Sequence, residues 1–412
     1  MLRNKKTHHR NLPYGRQHID QQDIDSVVDV LKSDFLTDGP AVKGFEKALS
    51  DVFCVEDVVA CSSGTAALHL AAMGFGIGKG VDDVVIVPAV TFSATANAPF
   101  MAGAQVVFAD VDPDSGLIGL EQLEDAFHRA KGLGKPKAVF PVHLNGQVAP
   151  MGEISGFAKN NGLLVIEDAS HALGGKYSRN GAMGEVGDAV LSDAVCFSFH
   201  PVKTLAMGEG GAVSSQDQRF INHIRQLRGH GITRNVDDFS EQSLSEAPSG
   251  DVNPWYYEMQ HLGNNYRASD VHCALGASQL SKLRLFVEKR ASLVRRYRER
   301  LTNALKGVEL LKVANNQRPG WHLMVTLIDF ANFGLDRASV MHELVKRGIR
   351  TQVHYIPVPW QPFWKRHADT PDLPNSKRYY ERALSLPLFY SMSVEDVDFV
   401  VDNLLDVLAV HR

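Results

Sequence analysis

The chain has 412 residues and a formal net charge of -4, with 44% hydrophobic and 22% charged residues. A chain of this length is too long for a single hydrophobic core, so we expect two domains and a sizeable buried interior. The weakly acidic balance provides no basic surface for nucleic acid, and the sequence contains no run of about 18 apolar residues that would cross a bilayer.

Two further features favour a cytoplasmic location. Residues 1–10 are basic but lack the apolar segment of a secretory signal. The cysteines Cys54, Cys61, Cys196 and Cys273 lie far apart and without the spacing of a metal site. We therefore expect buried thiols in a reducing compartment, no metal, and neither a membrane nor a nucleic acid as partner.

The first predicted element is a helix over residues 20–32, where apolar residues recur at helical spacing and Asp20 is suited to cap the N-terminus. Residues 33–40 contain serine, aspartate, glycine and proline, which favour a turn and end the helix. The aromatic and hydroxyl side chains of this turn fit an ordinary connection and the mouth of a ligand site equally well.

A strand, a turn of small residues and a helix follow one another over residues 58–73. This arrangement presents free backbone N–H groups and the positive end of a helix dipole to an anion, typically a phosphate. The alternative is plain capping of the helix by Ser63 or Thr65.

Apolar runs that end in polar residues continue along the chain and alternate with helical patterns at 120–131 and 151–161. The predicted strands cover residues 84–87, 106–111, 138–143 and 163–168. This alternation predicts a parallel sheet with helices on its faces, an α/β fold. Phe92 lies just past the end of one strand, where such sheets bind ligands, so it either stacks on an aromatic ring or belongs to the core.

Asp168 closes the last of these strands. A carboxylate at the end of a buried strand is costly without a cationic partner. That partner is either a protonated ring nitrogen of a cofactor or an ordinary arginine or lysine, and simple capping is a further alternative.

Lys203 stands on a loop between two apolar segments, with glycines at 208, 210 and 211 leading into the second one. This pattern predicts strand, tight loop and strand. A lysine held away from water there has a lowered pKa and becomes a nucleophile that forms a Schiff base, whereas the alternative is a solvated loop lysine.

The remaining chain is predicted to contain an exposed loop at 235–253 and two helices within 269–299. Beyond about residue 290 a smaller α/β unit follows. Its predicted strands are 321–329 and 350–354, and its predicted helices are 337–347 and 394–408. We therefore divide the chain into a large domain with an N-terminal arm, residues 1–289, and a small C-terminal domain, residues 290–412.

Several motifs occur together in a characteristic order. They are Ser63-Gly64-Thr65, Phe92, Glu167-Asp168-Ala-Ser-His171, Ser198-Phe-His-Pro-Val-Lys203 and Gly208-Glu-Gly-Gly211. Over nearly the whole chain this set resembles the DegT/DnrJ/EryC1/StrS family of sugar aminotransferases. The resemblance implies pyridoxal 5'-phosphate (PLP) as cofactor and the type I, aspartate aminotransferase fold, with a large, mostly parallel sheet domain and a smaller C-terminal α/β domain.

The resemblance also implies roles for individual residues. Lys203 would form the imine with the cofactor, Asp168 would face the pyridine nitrogen, and His171 would lie near the phenolic oxygen. The expected contacts to the ring face and the phosphate are Phe92, Gly64, Thr65 and Ser198. Asn265 matches an asparagine that such enzymes supply across a dimer interface, which implies a homodimer. The expected sugar-nucleotide contacts are Tyr14, Phe35, Leu36, Thr37 and His322.

Within the family, residues 13–17, 36–40, 200–203, 254–260 and 353–355 look most like the enzyme of the pseudaminic acid pathway. The implied acceptor is UDP-2-acetamido-2,6-dideoxy-β-L-arabino-hex-4-ulose, aminated at C4 with an amino acid donor, L-glutamate by family expectation. Departures at 143–147, 204–207 and Asn264 leave the preferred 4-ketosugar open.

Two other functions are considered. A PLP-dependent sugar 3-dehydratase of the same fold would carry histidine where Lys203 stands. A non-catalytic sugar-nucleotide sensor would have no need of Lys203, Asp168 and His171 together.

Overall fold

The structure is a computed structural model that describes residues 11–179, 181–368 and 371–409. The basic residues 1–10 discussed above lie outside this part of the chain. Strands and helices alternate over the first 280 residues, as predicted. The β-strands are β1 (Val58–Cys61), β2 (Asp83–Pro88), β3 (Gln105–Ala109), β4 (Lys135–Val139), β5 (Leu164–Asp168), β6 (Lys176–Arg179), β7 (Ala182–Glu185), β8 (Ala194–Ser198), β9 (Gly211–Ser214), β10 (Ile232–Thr233), β11 (Glu258–Met259), β12 (Val308–Leu310), β13 (Gln317–Arg318), β14 (Met324–Ile328) and β15 (Ala383–Leu386).

The helices cover these sheets and connect their strands. They are α1 (Gln21–Leu31), α2 (Pro40–Phe53), α3 (Gly64–Gly74), α4 (Ser93–Met101), α5 (Leu120–Leu133), α6 (Met151–Asn161), α7 (Gln218–Arg228), α8 (Gln242–Ser245), α9 (Asp270–Ser281), α10 (Leu283–Leu301), α11 (Arg337–Lys346), α12 (Trp364–His367), α13 (Pro374–Arg382) and α14 (Val394–Ala409). The predicted N-cap is confirmed, because Asp20 accepts a hydrogen bond from the backbone of Asp23 in a capping box.

The large sheet has seven strands in the order β1-β9-β8-β5-β4-β2-β3. Strands β8, β5, β4, β2 and β3 pair in parallel, and β9 runs antiparallel to both β1 and β8. The prediction of a mostly parallel sheet in an α/β fold is therefore confirmed.

Both faces of this sheet are buried, because helices cover each face and successive side chains of a strand point to opposite faces. In β2, Val84 and Ile86 join one core cluster with residues of α2, α5 and α6, while Val85 and Val87 join another with residues of α3, α4 and α7. Because both faces are buried, the strands need apolar residues at nearly every position.

A second, antiparallel sheet has the order β12-β14-β15 and shares a core with α10, α11 and α14. The predicted strand at 321–329 is confirmed as β14, but the prediction of a strand at 350–354 is wrong. In that segment Arg350 donates to the carbonyl of Leu12, and only Gln352 pairs with Ser385 of β15. No ladder forms, because the backbone bonds are divided between two partners.

The predicted strand at 138–143 is displaced, since β4 ends at Val139. Pro141 has no N–H group to donate, so a regular ladder cannot continue through it. The proposed domain division near residue 290 falls inside α10, which contributes Leu283 to the large core and Leu293 and Tyr297 to the small one. This division therefore stays a prediction.

Candidate active site

The predicted site residues follow the carboxyl ends of neighbouring strands, the usual ligand edge of a parallel sheet. Asp168 is the last residue of β5 and Ser198 the last residue of β8. Thr95 lies in the first turn of α4, which follows β2. The topology thus brings these three side chains to one edge of the sheet.

Asp168 is buried and has two hydrogen-bond donors. Its Oδ2 accepts from the Thr95 hydroxyl at 2.7 Å, and its Oδ1 accepts from the backbone N–H of Ser170 at 3.1 Å. Because the Thr95 hydrogen is used there, the Thr91 hydroxyl donates to Thr95, also at 2.7 Å. These bonds hold the carboxylate in a fixed orientation.

In the described chain no lysine, arginine or histidine makes an ion pair with Asp168, although the residue is only 5% exposed. A buried carboxylate without a countercharge is costly unless a ligand supplies one. The alternative of a salt bridge to an ordinary arginine or lysine is therefore not seen within the described residues, where Lys203 acts on Asp168 only through its charge. A protonated ring nitrogen of a cofactor would fit this position.

Lys203 lies on the loop between β8 and β9, and its backbone N–H donates to the carbonyl of His200. Burial lowers the pKa of its amine to about 8, and the negative charge of Asp168 opposes this shift. Lys203 is half-buried, and its amine lies within electrostatic range of Asp168. These features favour the predicted nucleophile over a fully solvated loop lysine.

Gly64 begins α3 and lies against Ser198. A Cβ atom at Gly64 would be 2.7 Å from the Ser198 Cβ atom, so only glycine fits this approach. Ser63 caps the helix by accepting from the backbone N–H of Ala66, and Thr65 is exposed in the first turn. The predicted cap at Ser63 is confirmed, and the helix N-terminus also opens next to Ser198, as a phosphate cradle requires.

His171 is buried and has a partner at each ring nitrogen. The backbone N–H of Asn145 donates to its Nδ1 at 3.3 Å, and the Tyr355 hydroxyl lies 3.2 Å from its Nε2. Burial, followed by the charge of Lys203, lowers the pKa of His171 well below its ordinary value. The ring is therefore neutral at neutral pH.

Two further buried histidines extend this wall. The ring of His322 lies 4.6 Å from that of His171, and its Nδ1 has no hydrogen-bond partner within the described chain. His354 Nδ1 lies 2.7 Å from the Ser385 hydroxyl. Burial and the charge of Lys203 lower the pKa of His354 to about 3, and burial is also the main cause of the low pKa of His322.

Tyr14 and Phe92 flank this wall. The Tyr14 ring lies 5.5 Å from that of His354, and the Phe92 ring lies 6.0 Å from that of Tyr355. Phe92 is 58% exposed, so the alternative that it belongs to the core is wrong. Both aromatic residues are available to a ligand at the predicted site.

Four predicted residues are not brought to this cluster. Phe35, Leu36 and Thr37 are exposed on a loop held by the N-terminus of α9, where Leu36 accepts from the backbone of Asp270. Asn265 is exposed as well, and its backbone pairs with Gly229.

Four residues of the site were not predicted from the sequence. They are Thr95, Asn145, His354 and Tyr355. Thr95 had a usable signal, a hydroxyl in the helix that follows a strand end, and residues 353–355 had appeared only in the family resemblance. Asn145 acts through its backbone N–H, which side-chain chemistry does not signal.

The described residues contain neither a helix suited to cross a membrane nor a metal-binding cluster. None of the helices over 11–179, 181–368 and 371–409 is long and apolar enough to cross a membrane. The same residues include no group of three or more histidine, cysteine, aspartate or glutamate side chains that would hold a metal ion.

Residues 17–405 match the sequence profile described as the DegT/DnrJ/EryC1/StrS aminotransferase family. The chain belongs to this family. Among its relatives, the spore coat polysaccharide biosynthesis protein SpsC of Bacillus subtilis is 36% identical over 400 residues, covering 96% of this chain and 97% of the relative. The UDP-4-amino-4,6-dideoxy-N-acetyl-beta-L-altrosamine transaminase of Campylobacter jejuni strain 81-176 is 35% identical over 397 residues, covering 96% and 97%.

Solved structures of similar proteins agree with this assignment. The Helicobacter pylori aminotransferase PseC, involved in the biosynthesis of pseudoaminic acid, matches with a TM-score of 0.86 and 26% identity over 97% of this chain and 99% of that one. The PLP form of the putative sugar aminotransferase Spr1654 from Streptococcus pneumoniae matches with a TM-score of 0.83 and 25% identity, covering 98% and 100%. This family member is a nucleotide-sugar aminotransferase, and its family implies PLP.

Proposed function

We propose that this aminotransferase moves the amino group of L-glutamate to C4 of UDP-2-acetamido-2,6-dideoxy-β-L-arabino-hex-4-ulose, giving UDP-4-amino-4,6-dideoxy-N-acetyl-β-L-altrosamine. The proposal is carried by the buried Asp168, which makes no ion pair among the described residues, together with the half-buried Lys203, whose pKa is lowered. The names of the Campylobacter and Helicobacter relatives support the choice of sugar.

The residues of the site fit PLP. The Asp168 carboxylate would accept the pyridine N–H, and the Lys203 amine would hold the cofactor covalently. The phosphate would occupy the N-terminus of α3 beside Gly64, Thr65 and Ser198, with the exposed Phe92 against the ring. When bound, PLP supplies an electron sink for the carbanion formed at the α-carbon of the donor.

The chain itself supplies proton transfer and orientation. Asp168, fixed by Thr95 and Ser170, keeps its negative charge towards the ring nitrogen. The Lys203 amine, with a pKa of about 8, would take the proton from the α-carbon of glutamate as a base and then deliver it as an acid to the C4' carbon of the cofactor. The same two steps in reverse order place the amine on C4 of the sugar.

We also propose a homodimer in which Asn265 completes the site of the partner. Asn265 is exposed, and the neighbouring segment around β11 carries large apolar side chains in solvent: Trp255 is 71% exposed, Met259 65% and Leu262 84%. Exposed apolar clusters of this kind mark protein contacts. Phe35, Leu36 and Thr37, also exposed, would then meet the sugar nucleotide beside the interface.

Mixed dimers test this arrangement. Lys203→Ala and Asn265→Ala chains, co-expressed with different tags, form a heterodimer with one intact site only if Asn265 acts across the interface. Activity restored above that of either mutant homodimer would support the sharing. A heterodimer as inactive as the two homodimers would mean that Asn265 serves its own chain.

The substrate is tested by supplying the purified protein with L-glutamate and a panel of nucleotide-linked 4-ketosugars. We expect C4 amination of the UDP-linked β-L-arabino sugar, identified by NMR of the product. Turnover of another nucleotide 4-ketosugar alone would establish the alternative substrate. A sensor would bind the sugar without absorbance from bound PLP and without turnover, an outcome that the half-buried Lys203 with its lowered pKa opposes.

A cytoplasmic location forms part of this proposal. Cys61, Cys196 and Cys273 are buried free thiols, and Cys54 is an exposed one. Unpaired cysteines are usual in a reducing compartment, where disulfides do not persist.

A further inference from the structure

A fixed hydrogen-bond direction runs from Asn145 through His171 to Tyr355. The backbone N–H of Asn145 can only donate, so His171 Nδ1, 3.3 Å away, accepts and carries no proton. Since the His171 ring is neutral, its single proton is on Nε2. Nε2 therefore donates to the Tyr355 hydroxyl oxygen at 3.2 Å.

The hydrogen of the Tyr355 hydroxyl is consequently not used on His171. Burial, and then the negative charge of Asp168, raise the pKa of Tyr355 above its ordinary value, so the phenol keeps its proton at neutral pH. In the described part of the chain this hydroxyl has no hydrogen-bond partner other than His171. It is an oriented donor without an acceptor.

The position of Tyr355 places this donor in the site. Its ring lies 6.0 Å from those of both Phe92 and His171, and 4.8 Å from that of His354. The Asp168 charge acts on the hydroxyl, and the Lys203 charge acts on His171 and His354. The unused hydrogen therefore lies among the groups that would surround a bound molecule.

We propose that Tyr355 is a catalytic residue whose hydroxyl donates a hydrogen bond to an oxygen atom of the molecule bound beside Asp168 and Lys203. His171 is then a positioning residue, because it fixes which way the Tyr355 hydrogen points. This inference rests on the proposed function. The accepting oxygen belongs either to the ring of the cofactor or to the C4 carbonyl of the sugar.

Tyr355→Phe in the PLP-loaded enzyme separates the two sources. If the acceptor is the ring oxygen, its deprotonated form loses a donor, so the pH midpoint of the bound cofactor's absorbance rises by about one unit. If the acceptor is the sugar carbonyl, the midpoint is unchanged and the half-reaction with the sugar slows ~10- to 100-fold, while the half-reaction with glutamate is retained.

Tyr297→Phe is the matched control. Tyr297 is a fully buried tyrosine whose hydroxyl donates to the carbonyl of Pro387 in the small core. Its loss lowers the melting temperature and leaves the absorbance midpoint and both half-reactions unchanged. An unchanged midpoint together with an unchanged sugar half-reaction in Tyr355→Phe overturns the role of Tyr355.

A double-mutant cycle tests the positioning by His171. If His171 acts through Tyr355, His171→Phe reproduces the change seen in Tyr355→Phe and adds little to it in the double variant. Additive effects overturn the relay. A wild-type protein that binds no PLP would instead defeat the proposed function, whereas an active wild type with an unaffected Tyr355→Phe defeats this inference alone.

Discussion

The site has two sides that are built differently. The strand-end side, consisting of Asp168, Ser198, Gly64 and Lys203, follows the regular sheet and carries both a carboxylate and an amine. The histidine side, consisting of His171, His322, His354 and Tyr355, comes from irregular segments far apart in the chain. Burial makes its groups neutral.

The strand-end side thus supplies the charged groups of the site, and the histidine side supplies neutral groups that direct hydrogen bonds. An additional cation next to Lys203 would be strongly unfavourable in a buried site, and the amine accordingly lowers the pKa of each of the three histidines. A neutral wall can still direct hydrogen bonds, as the contact of His171 with Tyr355 shows. We therefore expect large effects of substitutions on the strand-end side and smaller ones on the histidine side.

Lys203→Ala is expected to have the largest effect. The Lys203 amine is the proposed base and acid of the reaction, so proton transfer is lost and turnover falls by up to ~10⁴-fold. The absorbance band of covalently held cofactor disappears at the same time. Lys47→Ala, which removes an exposed lysine paired with Asp51, is the control and keeps both. A yellow, active Lys203→Ala protein would contradict the assignment.

Asp168→Asn tests the other charge of the strand-end side. The amide keeps the shape of the carboxylate but cannot hold a protonated ring nitrogen, so kcat falls ~10²- to 10³-fold. Asp83→Asn is the matched control, because Asp83 is also buried but accepts from the backbone of Gly78 and Gly80 at the other end of β2. Equal kinetics in both variants would mean that Asp168 is not the partner of the ring.

Thr95→Val removes one donor to Asp168 with little change in volume. We expect a ~10-fold loss of kcat and a loss of about 1–3 kcal/mol in the free energy of unfolding, because the buried Oδ2 is left without its 2.7 Å donor. Thr326→Val is the control, since Thr326 donates to the carbonyl of Leu384 within the small sheet. It should lose stability only, and a matching kinetic loss there would contradict the role of Thr95.

The two sides also differ in how far the sequence predicted them. The spacing of apolar residues and the composition predicted the alternation of strands and helices, because strands buried on both faces, such as β2 and β5, appear as apolar runs in the sequence. The segment 350–354 has the same local pattern but no partner strand along its length. Strand pairing depends on distant residues such as Leu12 and Ser385, which a local pattern does not contain.

The same distinction holds within the site. Asp168 and Ser198 were predictable, because residues at strand ends converge on one edge of the sheet. Asn145 and Tyr355 reach His171 from segments without regular structure, so only the folded chain places them. Even with a family resemblance, residues 353–355 received no role.

The titration of Lys203 sharpens the comparison without removing the amine. Only the neutral amine is nucleophilic, so the rate at which apoprotein takes up PLP covalently should rise with pH around a midpoint near 8, far below that of an exposed lysine. Because Asp168 raises the pKa of Lys203, Asp168→Asn should shift the midpoint downwards. A midpoint above 10 would show that the amine is solvated.

The smallest expected effect belongs to the histidine side, where we expect the histidine rings not to take up a proton near their ordinary pKa. The pKa of His354 is about 3, so this ring stays neutral as the pH falls from 8 to 5, and burial holds the pKa values of His171 and His322 well below the ordinary value. In imidazole NMR spectra, assigned by single His→Gln variants, the His354 signal should therefore not shift over this range, and the His171 and His322 signals should titrate below an ordinary histidine. A midpoint near 6.5 for any of the three would mean that water reaches the histidine side and that a second positive charge is tolerated beside Lys203. The histidine side would then carry charge as well as direct hydrogen bonds, and the contrast between the two sides of the site would be lost.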